Sequence, residues 1–280
     1  MGCTTFFIEK NGQMVFGRNY DWVTGTGMIY TNLRGMAKHS LDLENGNTLQ
    51  WVSKHGSVTF NQYGKEFPNG GMNEKGLVVE LMWLSESVYP APDTRPAFSV
   101  LQWIQYQLDN CSTIDEVIAT DKKIRITSTG TPQHYLVADA NGNAATIEFL
   151  NGKMVVHTGK NLPYAVLANS TYQASLRSIN VTKQKEAASF MANSGDRFST
   201  ACAMVQQYRG SDVKKPILDY SFDILQNVSQ GTFTKWSIVY DVTNKKIYYK
   251  LCRKIKKDIS HVIIKVLLIL FILRNRKINK

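Results

Sequence analysis

Five Asn-Gly dipeptides punctuate the chain, at Asn11-Gly12, Asn45-Gly46, Asn69-Gly70, Asn141-Gly142 and Asn151-Gly152. Asn and Gly tolerate the positive backbone angles of a type I′ hairpin turn, whose twist matches that of the strands it joins. Most of these dipeptides separate short runs rich in β-branched and aromatic residues. "TTFFIE" is parted from "QMVFGR" in this way, and "HYLVADA" from "AATIEFL" and "KMVVHTG". Antiparallel meanders are therefore expected over most of residues 3–90 and 133–168. A last strand pair is expected in "TKWSIVYDVTNKKIYYK".

Helical periodicity is confined to two blocks. "AFSVLQWIQYQLDN" carries apolar residues at helical spacing, and Ser112 with Asp115 reads as the capping pair of a short second helix. The other block, roughly residues 172–228, holds several candidates, among them "STACAMVQQY" and "ILDYSFDILQNV". Strands outside the helical blocks, and at both ends of the chain, define an α+β class. With 280 residues, no internal repeat and no linker, one domain is expected.

The formal net charge of +11 points toward nucleic acid only until its distribution is read. Residues 251–280 carry nine Lys or Arg against one Asp, so the preceding 250 residues hold only +3. The body is nearly neutral, and no nucleic-acid partner is expected. The tail's apolar run, "VIIKVLLILFIL", is 12 residues long, short of the roughly 20 that a spanning helix needs. Contact of the tail with a membrane surface is the weaker reading. A divergent or frame-shifted end that carries no catalysis is the preferred one.

The four cysteines, Cys3, Cys111, Cys202 and Cys252, form neither a CxxC pair nor a zinc-spaced cluster. No disulfide framework, metal or cofactor is expected. No apolar leader precedes Cys3, which reads as cytoplasmic, or as periplasmic or secreted if the true start lies upstream. Phe6 stands where a myristoylation signal needs Ser or Thr.

Cys3 itself permits a sharper reading. If Met1 and Gly2 were removed, the freed α-amine, with a pKa of about 7.7–8, could take the thiol proton without any histidine. A hairpin about Asn11-Gly12 brings Arg18 back beside Cys3, where a guanidinium favours thiolate, and Asp21 could orient the ammonium. Taken singly, each residue has a plainer reading. Cys3 could be a core residue, Arg18 and Asp21 a surface pair worth little, Asn169 a turn residue, and Arg197 a helix-terminal charge.

Taken together, "CTTF", "FGRNYDW", "GGMNEKGLVVELMW", "LANS" and "GDRFS" resemble the landmarks of the choloylglycine hydrolase family. That family holds bile salt hydrolases and penicillin V acylases among the N-terminal-nucleophile (Ntn) hydrolases, and the order and spacing match over roughly residues 3–250. The resemblance implies a four-layer αββα sandwich of two antiparallel sheets. It divides the chain into a propeptide (1–2), a hydrolase domain (3–250) and a tail (251–280).

Roles follow by resemblance. Cys3 is the nucleophile, Arg18 contacts its sulfur, Asp21 holds the α-amine and Arg197 completes the charged network. The Asn169 side chain and the backbone N–H of Met82 form the oxyanion hole. Trp22 and Trp83 resemble the paired aromatics of the Gram-negative-type acylase branch, which line an acyl pocket. Alternation along a strand lets only one of Met82 and Trp83 face that pocket. Two departures are noted. Met82 stands where bile salt hydrolases place Asn and classical penicillin V acylases Tyr. The stretch from Asn169 to Arg197 is also shorter than in the bile-salt clade, where a long hairpin helps assemble a tetramer. A homo-oligomer is still expected, of open size.

The implied activity is hydrolysis of a small-molecule linear amide. Aromatic or fatty acyl amides, of the penicillin V or N-acyl homoserine lactone type, suit the flat indoles. Conjugated bile salts are the second reading. A catalytically silent homologue acting at a membrane surface is the reading from another class.

Overall fold

The first Asn-Gly pair turns the chain as the sequence predicts. Asn11 and Gly12 take φ of 52° and 76°, and β1 (Thr4–Lys10) pairs antiparallel with β2 (Gln13–Asp21), Thr5 opposite Arg18. The computed structural model describes residues 2–44, 46–127, 130–179, 190–210, 213–255 and 258–267.

Beyond β2 come β3 (Met28–Asn32), a small hairpin of β4 (Ala37–His39) and β5 (Gln50–Val52), then β6 (Ser57–Asn61), β7 (Pro68–Asn73) and β8 (Val78–Trp83). A short β9 (Ala97–Phe98) leads into α1 (Val100–Asn110) and α2 (Ile114–Ala119), and β10 (Arg125–Ile126) pairs back with β9 in parallel. A meander of β11 (Gln133–Ala138), β12 (Ala144–Leu150) and β13 (Lys153–Thr158) precedes β14 (Val166–Leu167). Helices α3 (Tyr172–Ser178), α4 (Phe190–Gly210) and α5 (Ile217–Asn227) follow, and β15 (Thr234–Asp241), β16 (Lys246–Ile255) and β17 (Asp258–Leu267) close the described chain.

Two antiparallel sheets result. The first runs β14-β1-β2-β15-β16-β17 and the second β13-β12-β11-β8-β7-β6-β3. Helices α4 and α5 pack on β1 and β2, and α1 packs on β7 and β8. This is the four-layer αββα arrangement. Its central strands are buried on both faces, so they read as apolar runs rather than as alternation, whereas edge strands β3 and β13 are largely exposed or half-buried. Strand β8 makes the point. Val78 and Met82 join the core between the sheets, whereas Val79 and Leu81 join the core under α1.

Local chemistry explains two departures from the sequence reading. The cap of α2 is Thr113, whose hydroxyl accepts from Glu116 N–H, while Glu116 Oε2 accepts from Ser112 N–H. Thr113 and Glu116 satisfy the S/T-x-x-E pattern one residue later than Ser112 and Asp115. The Asn69-Gly70 dipeptide makes no turn, because it lies inside β7 with Gly70 opposite Glu80. Glycine is required there by space, since a Cβ would fall 1.9 Å from Glu80 Oε2.

At the far end, β17 pairs along the whole of β16, with Lys246 opposite Leu267. The sheet therefore runs on through residue 250 without a break. Asn45, residues 180–189 in the stretch from Asn169 to Arg197, and residues 268–280 of the tail lie outside the described residues. Among the described residues, no helix is long and apolar enough to cross a membrane.

Gly70→Ala is expected to destabilise the fold by about 1–3 kcal/mol through overpacking against Glu80. A urea unfolding midpoint close to that of the parent chain would show that the site has slack.

Candidate active site

Cys3 stands just before β1, 5% exposed, at the floor of a cavity of about 380 Å³. The walls are mainly apolar, with Trp22, Leu41, Leu43, Phe67, Trp83 and Leu101 among them. The loop that carries Leu41 and Leu43 is tied down from α1. Gln102 accepts from Leu41 N–H at 2.9 Å and donates to His39 O at 3.2 Å. Buried Lys38 donates to Asp109, which also accepts from Trp51 Nε1 at 2.8 Å.

Arg18 reaches the site because the hairpin register sets it opposite Thr5. Its guanidinium is fully buried between the sheets. Nη1 donates to Asn69 O at 2.9 Å and pairs with Glu80, and Nη2 donates to Leu81 O at 3.1 Å. Glu80 also accepts from the Tyr240 hydroxyl. Desolvation pushes the Glu80 carboxyl up to about 7, against the opposing pull of Arg18 and Tyr240. Glu80 escaped the sequence reading, although a lone carboxylate inside "VVELM" is a signal in itself, since buried carboxylates are rarely unpaired.

With Gly2 still attached, burial raises the Cys3 thiol above its ordinary value. The charge of Arg18 and hydrogen bonds from Arg18 and the Asp21 backbone N–H counter that rise, while the Asp21 charge adds to it. Asp21 is itself buried. Its carboxylate accepts from Thr234 Oγ1 at 2.5 Å and Gln230 Nε2 at 2.6 Å. Burial pushes this carboxyl up, and Thr234, Arg197, Gln230 and Arg18 pull it back. Gln230 and Thr234 gave no signal in the sequence.

Asn169 and Arg197 close the site from the other side. Asn169 Oδ1 accepts from Cys3 N–H at 2.7 Å and from Arg197 Nη2 at 3.0 Å, and Nδ2 donates to Trp83 O at 2.8 Å. Two donors at the oxygen and one acceptor at the nitrogen fix the amide's orientation, and one Nδ2 hydrogen remains. Arg197 is a buried bridge rather than a surface charge. Its Nη1 donates to Cys3 O at 2.6 Å and Thr4 Oγ1 at 2.5 Å, and its Nε to Asn193 Oδ1 at 2.9 Å.

The structure corrects the place of Met82. Its side chain packs between the sheets, where the Thr5 hydroxyl lies 3.4 Å from Sδ, and does not line the cavity. Its backbone faces away as well. Leu84 N–H donates to Pro132 O, so even-numbered residues of β8 turn their N–H groups toward β11, where Met82 sits opposite His134. Odd-numbered residues turn the other way, and the Leu81 and Trp83 carbonyls accordingly meet Arg18 and Asn169. N–H and C=O of one strand residue share a side, so the N–H on the edge of the site is that of Trp83. Trp83 also supplies the indole that alternation permits in the cavity, and Trp22 lies there too.

The family described as linear amide C–N hydrolases, choloylglycine hydrolase family, matches residues 3–264, and the chain belongs to it. Over 192 residues the chain is 37% identical to a penicillin V acylase of Pectobacterium atrosepticum. That match covers 61% of this chain and 50% of the relative, so the chain spans about half the length of the curated relative it matches. Among solved structures, the penicillin V acylase of Agrobacterium tumefaciens is similar with a TM-score of 0.77 and 26% identity, over 95% of this chain and 86% of that one. A variant of the conjugated bile acid hydrolase of Clostridium perfringens has a TM-score of 0.73 at 18% identity, over 94% and 92% of the two chains, a likeness of fold alone.

The raised Glu80 carboxyl carries a pH signature. The folded chain keeps a proton that the unfolded chain, with an ordinary value of 4.5, has already lost. The stability this contributes is fully present below about 4.5 and is lost as pH rises through about 7. Glu80→Gln is expected to remove that slope, read as urea unfolding midpoints measured from pH 4 to 8 in both chains.

Proposed function

We propose that this chain hydrolyses the C–N bond of a linear small-molecule amide, with Cys3 as an N-terminal nucleophile. The observation that carries the reading is the buried convergence of Arg18, Asp21, Asn169 and Arg197 on Cys3 at the floor of an apolar cavity. Buried charges are costly unless they are paired and used, and this constellation lies where a substrate can reach it.

In this reading, release of residues 1–2 turns the Cys3 amide nitrogen into an α-amine beside Asn169 and Asp21. The amine takes the thiol proton, and the added positive charge next to the sulfur offsets the burial that holds the thiol protonated. The thiolate attacks the substrate carbonyl carbon. The oxyanion is held by the remaining Nδ2 hydrogen of Asn169 and by the N–H of Trp83, the donor that replaces Met82. The α-ammonium protonates the leaving amine, and water then clears the thioester. Trp22, Trp83 and the leucines of the cavity support an aromatic or fatty acyl group as the part of the substrate that is bound. A homo-oligomer belongs to the same proposal, supported by the exposed Val23, Met28, Leu33 and Met36 around edge strand β3.

A panel of penicillin V, N-acyl homoserine lactones and conjugated bile salts tests the reading. Cys3→Ala is expected to abolish turnover, and Asn169→Ala to lower kcat/KM by roughly 10²–10³ as one oxyanion donor is lost. A Cys3→Ala chain that still turned over would overturn the nucleophile. A native chain inert to the whole panel, whose Cys3 also resisted iodoacetamide at pH 8, would favour a catalytically silent homologue.

A further inference from the structure

The residue on the N-terminal side of Cys3 is enclosed as tightly as the nucleophile. A Cβ on Gly2 would fall 2.6 Å from Arg197 Nη2, 2.9 Å from Asn169 Oδ1 and 3.1 Å from Gln230 Nε2, so a larger residue there would have to push these three side-chain ends aside. The Gly2–Cys3 peptide group is gripped at both ends. Its N–H donates to Asn169 Oδ1 at 2.7 Å, and its carbonyl accepts from Gln230 Nε2 at 2.8 Å. The same Nε2 gives its other hydrogen to Asp21 Oδ2 at 2.6 Å. Two hydrogens facing two acceptors fix this amide, because the flipped form would aim its oxygen at two others. The loop between α5 and β15 holds Gln230 in place. Its N–H donates to Thr234 Oγ1 at 2.8 Å, and its carbonyl accepts from Phe233 N–H at 3.1 Å.

We propose that Gln230 is the oxyanion donor for self-cleavage of the Gly2–Cys3 bond, a step distinct from substrate turnover and served by a different amide. The proposal rests on the N-terminal-nucleophile reading above. The chemistry balances as follows. Cys3 Sγ bonds to the Gly2 carbonyl carbon, and the carbonyl oxygen takes the negative charge. The C–N bond then breaks, and the thiol proton passes to the leaving nitrogen, which becomes the α-amine. Water hydrolyses the resulting thioester, giving a carboxylate on Gly2 and restoring the thiol.

The oxygen that becomes charged is the one Gln230 already holds. Asn169 cannot serve it, because N–H and C=O of a trans peptide point in opposite directions and Asn169 sits on the N–H side. The scissile peptide and an incoming substrate thus present their carbonyl oxygens to two different holes around one sulfur.

The test is a time course of intact mass on the purified full-length chain and its variants. Native protein is expected to begin at Cys3. Gln230→Ala is expected to retain Gly2, with its loss slowed by roughly 10²–10³, at an unchanged far-UV spectrum and with a Tm lowered by loss of the hydrogen bond to buried Asp21. Gln230→Met, similar in length but without a donor, gives the same readout should the alanine variant fail to fold. Cys3→Ala must retain Gly2, and if it does not, the cleavage is not the chain's own. Gln230 variants that lose Gly2 at the native rate, while Cys3→Ala keeps it, overturn the role of Gln230 alone. A native chain that retains Gly2 overturns the cleavage step as well, and its activity on the amide panel then shows whether the hydrolase reading falls with it.

Discussion

The Arg18 guanidinium, sealed between the two sheets, is the group on which the rest of the site depends. A buried cation carries a desolvation cost of several kcal/mol unless it is paired. Strand β8 supplies the Glu80 carboxylate and the Leu81 carbonyl, and Asn69 adds a second carbonyl, while the buried Nε has no hydrogen-bond partner among the described residues. Each partner sets a further demand. Glu80 needs the empty flank of Gly70 and the hydroxyl of Tyr240 on the opposite sheet. The ion pair therefore ties β2, β8 and β15 together, and it places one fixed positive charge beside the Cys3 sulfur.

Around that charge, Asn169 and Arg197 from the second half of the chain and Asp21 at the end of β2 complete the site. Asn169 reads the Cys3 amide nitrogen with its oxygen and the edge of β8 with its nitrogen. Arg197 fastens the Cys3 carbonyl and the Asn169 oxygen in one span. Asp21 is satisfied by Gln230 and Thr234 while Gly2 remains in place. The described state is thus organised around the Gly2–Cys3 peptide, with every polar atom of that group engaged. The departure of Gly2 would exchange one uncharged peptide for one ammonium in the same enclosure.

Much of this was legible in the chain. The Asn-Gly turns and β-rich runs foretold the meanders, and the hairpin at Asn11-Gly12 predicted that Arg18 would return to Cys3. The motifs single out Cys3, Arg18, Asp21, Asn169 and Arg197, and the structure brings the five together. What failed did so for local reasons. Asn69-Gly70 read as a turn because glycine in a strand and glycine in a turn look alike, and its cause, the Glu80 carboxylate, lies on another strand. Met82 and Trp83 are neighbours in sequence, and a one-residue slip reverses the side of a strand to which both N–H and side chain point, so only the register places Trp83 at the site. Gln230 could not be found at all, since a single Gln in a loop has no periodicity and no motif.

The sequence by itself determined the α+β class, the antiparallel pairing at its turns, the nearly neutral body and, through the resemblance of its motifs to a known family, the four residues that surround Cys3. The first three are local or compositional properties, written in spacing and residue type, and the last rests on the family resemblance. Only the tertiary structure decided which face of each β8 residue meets the site, that Glu80 rather than solvent balances Arg18, and that Gln230 holds the Gly2 carbonyl. Each of those depends on strands or loops far apart in the chain, whose register and stacking are set by the two buried cores and by no nearby residue.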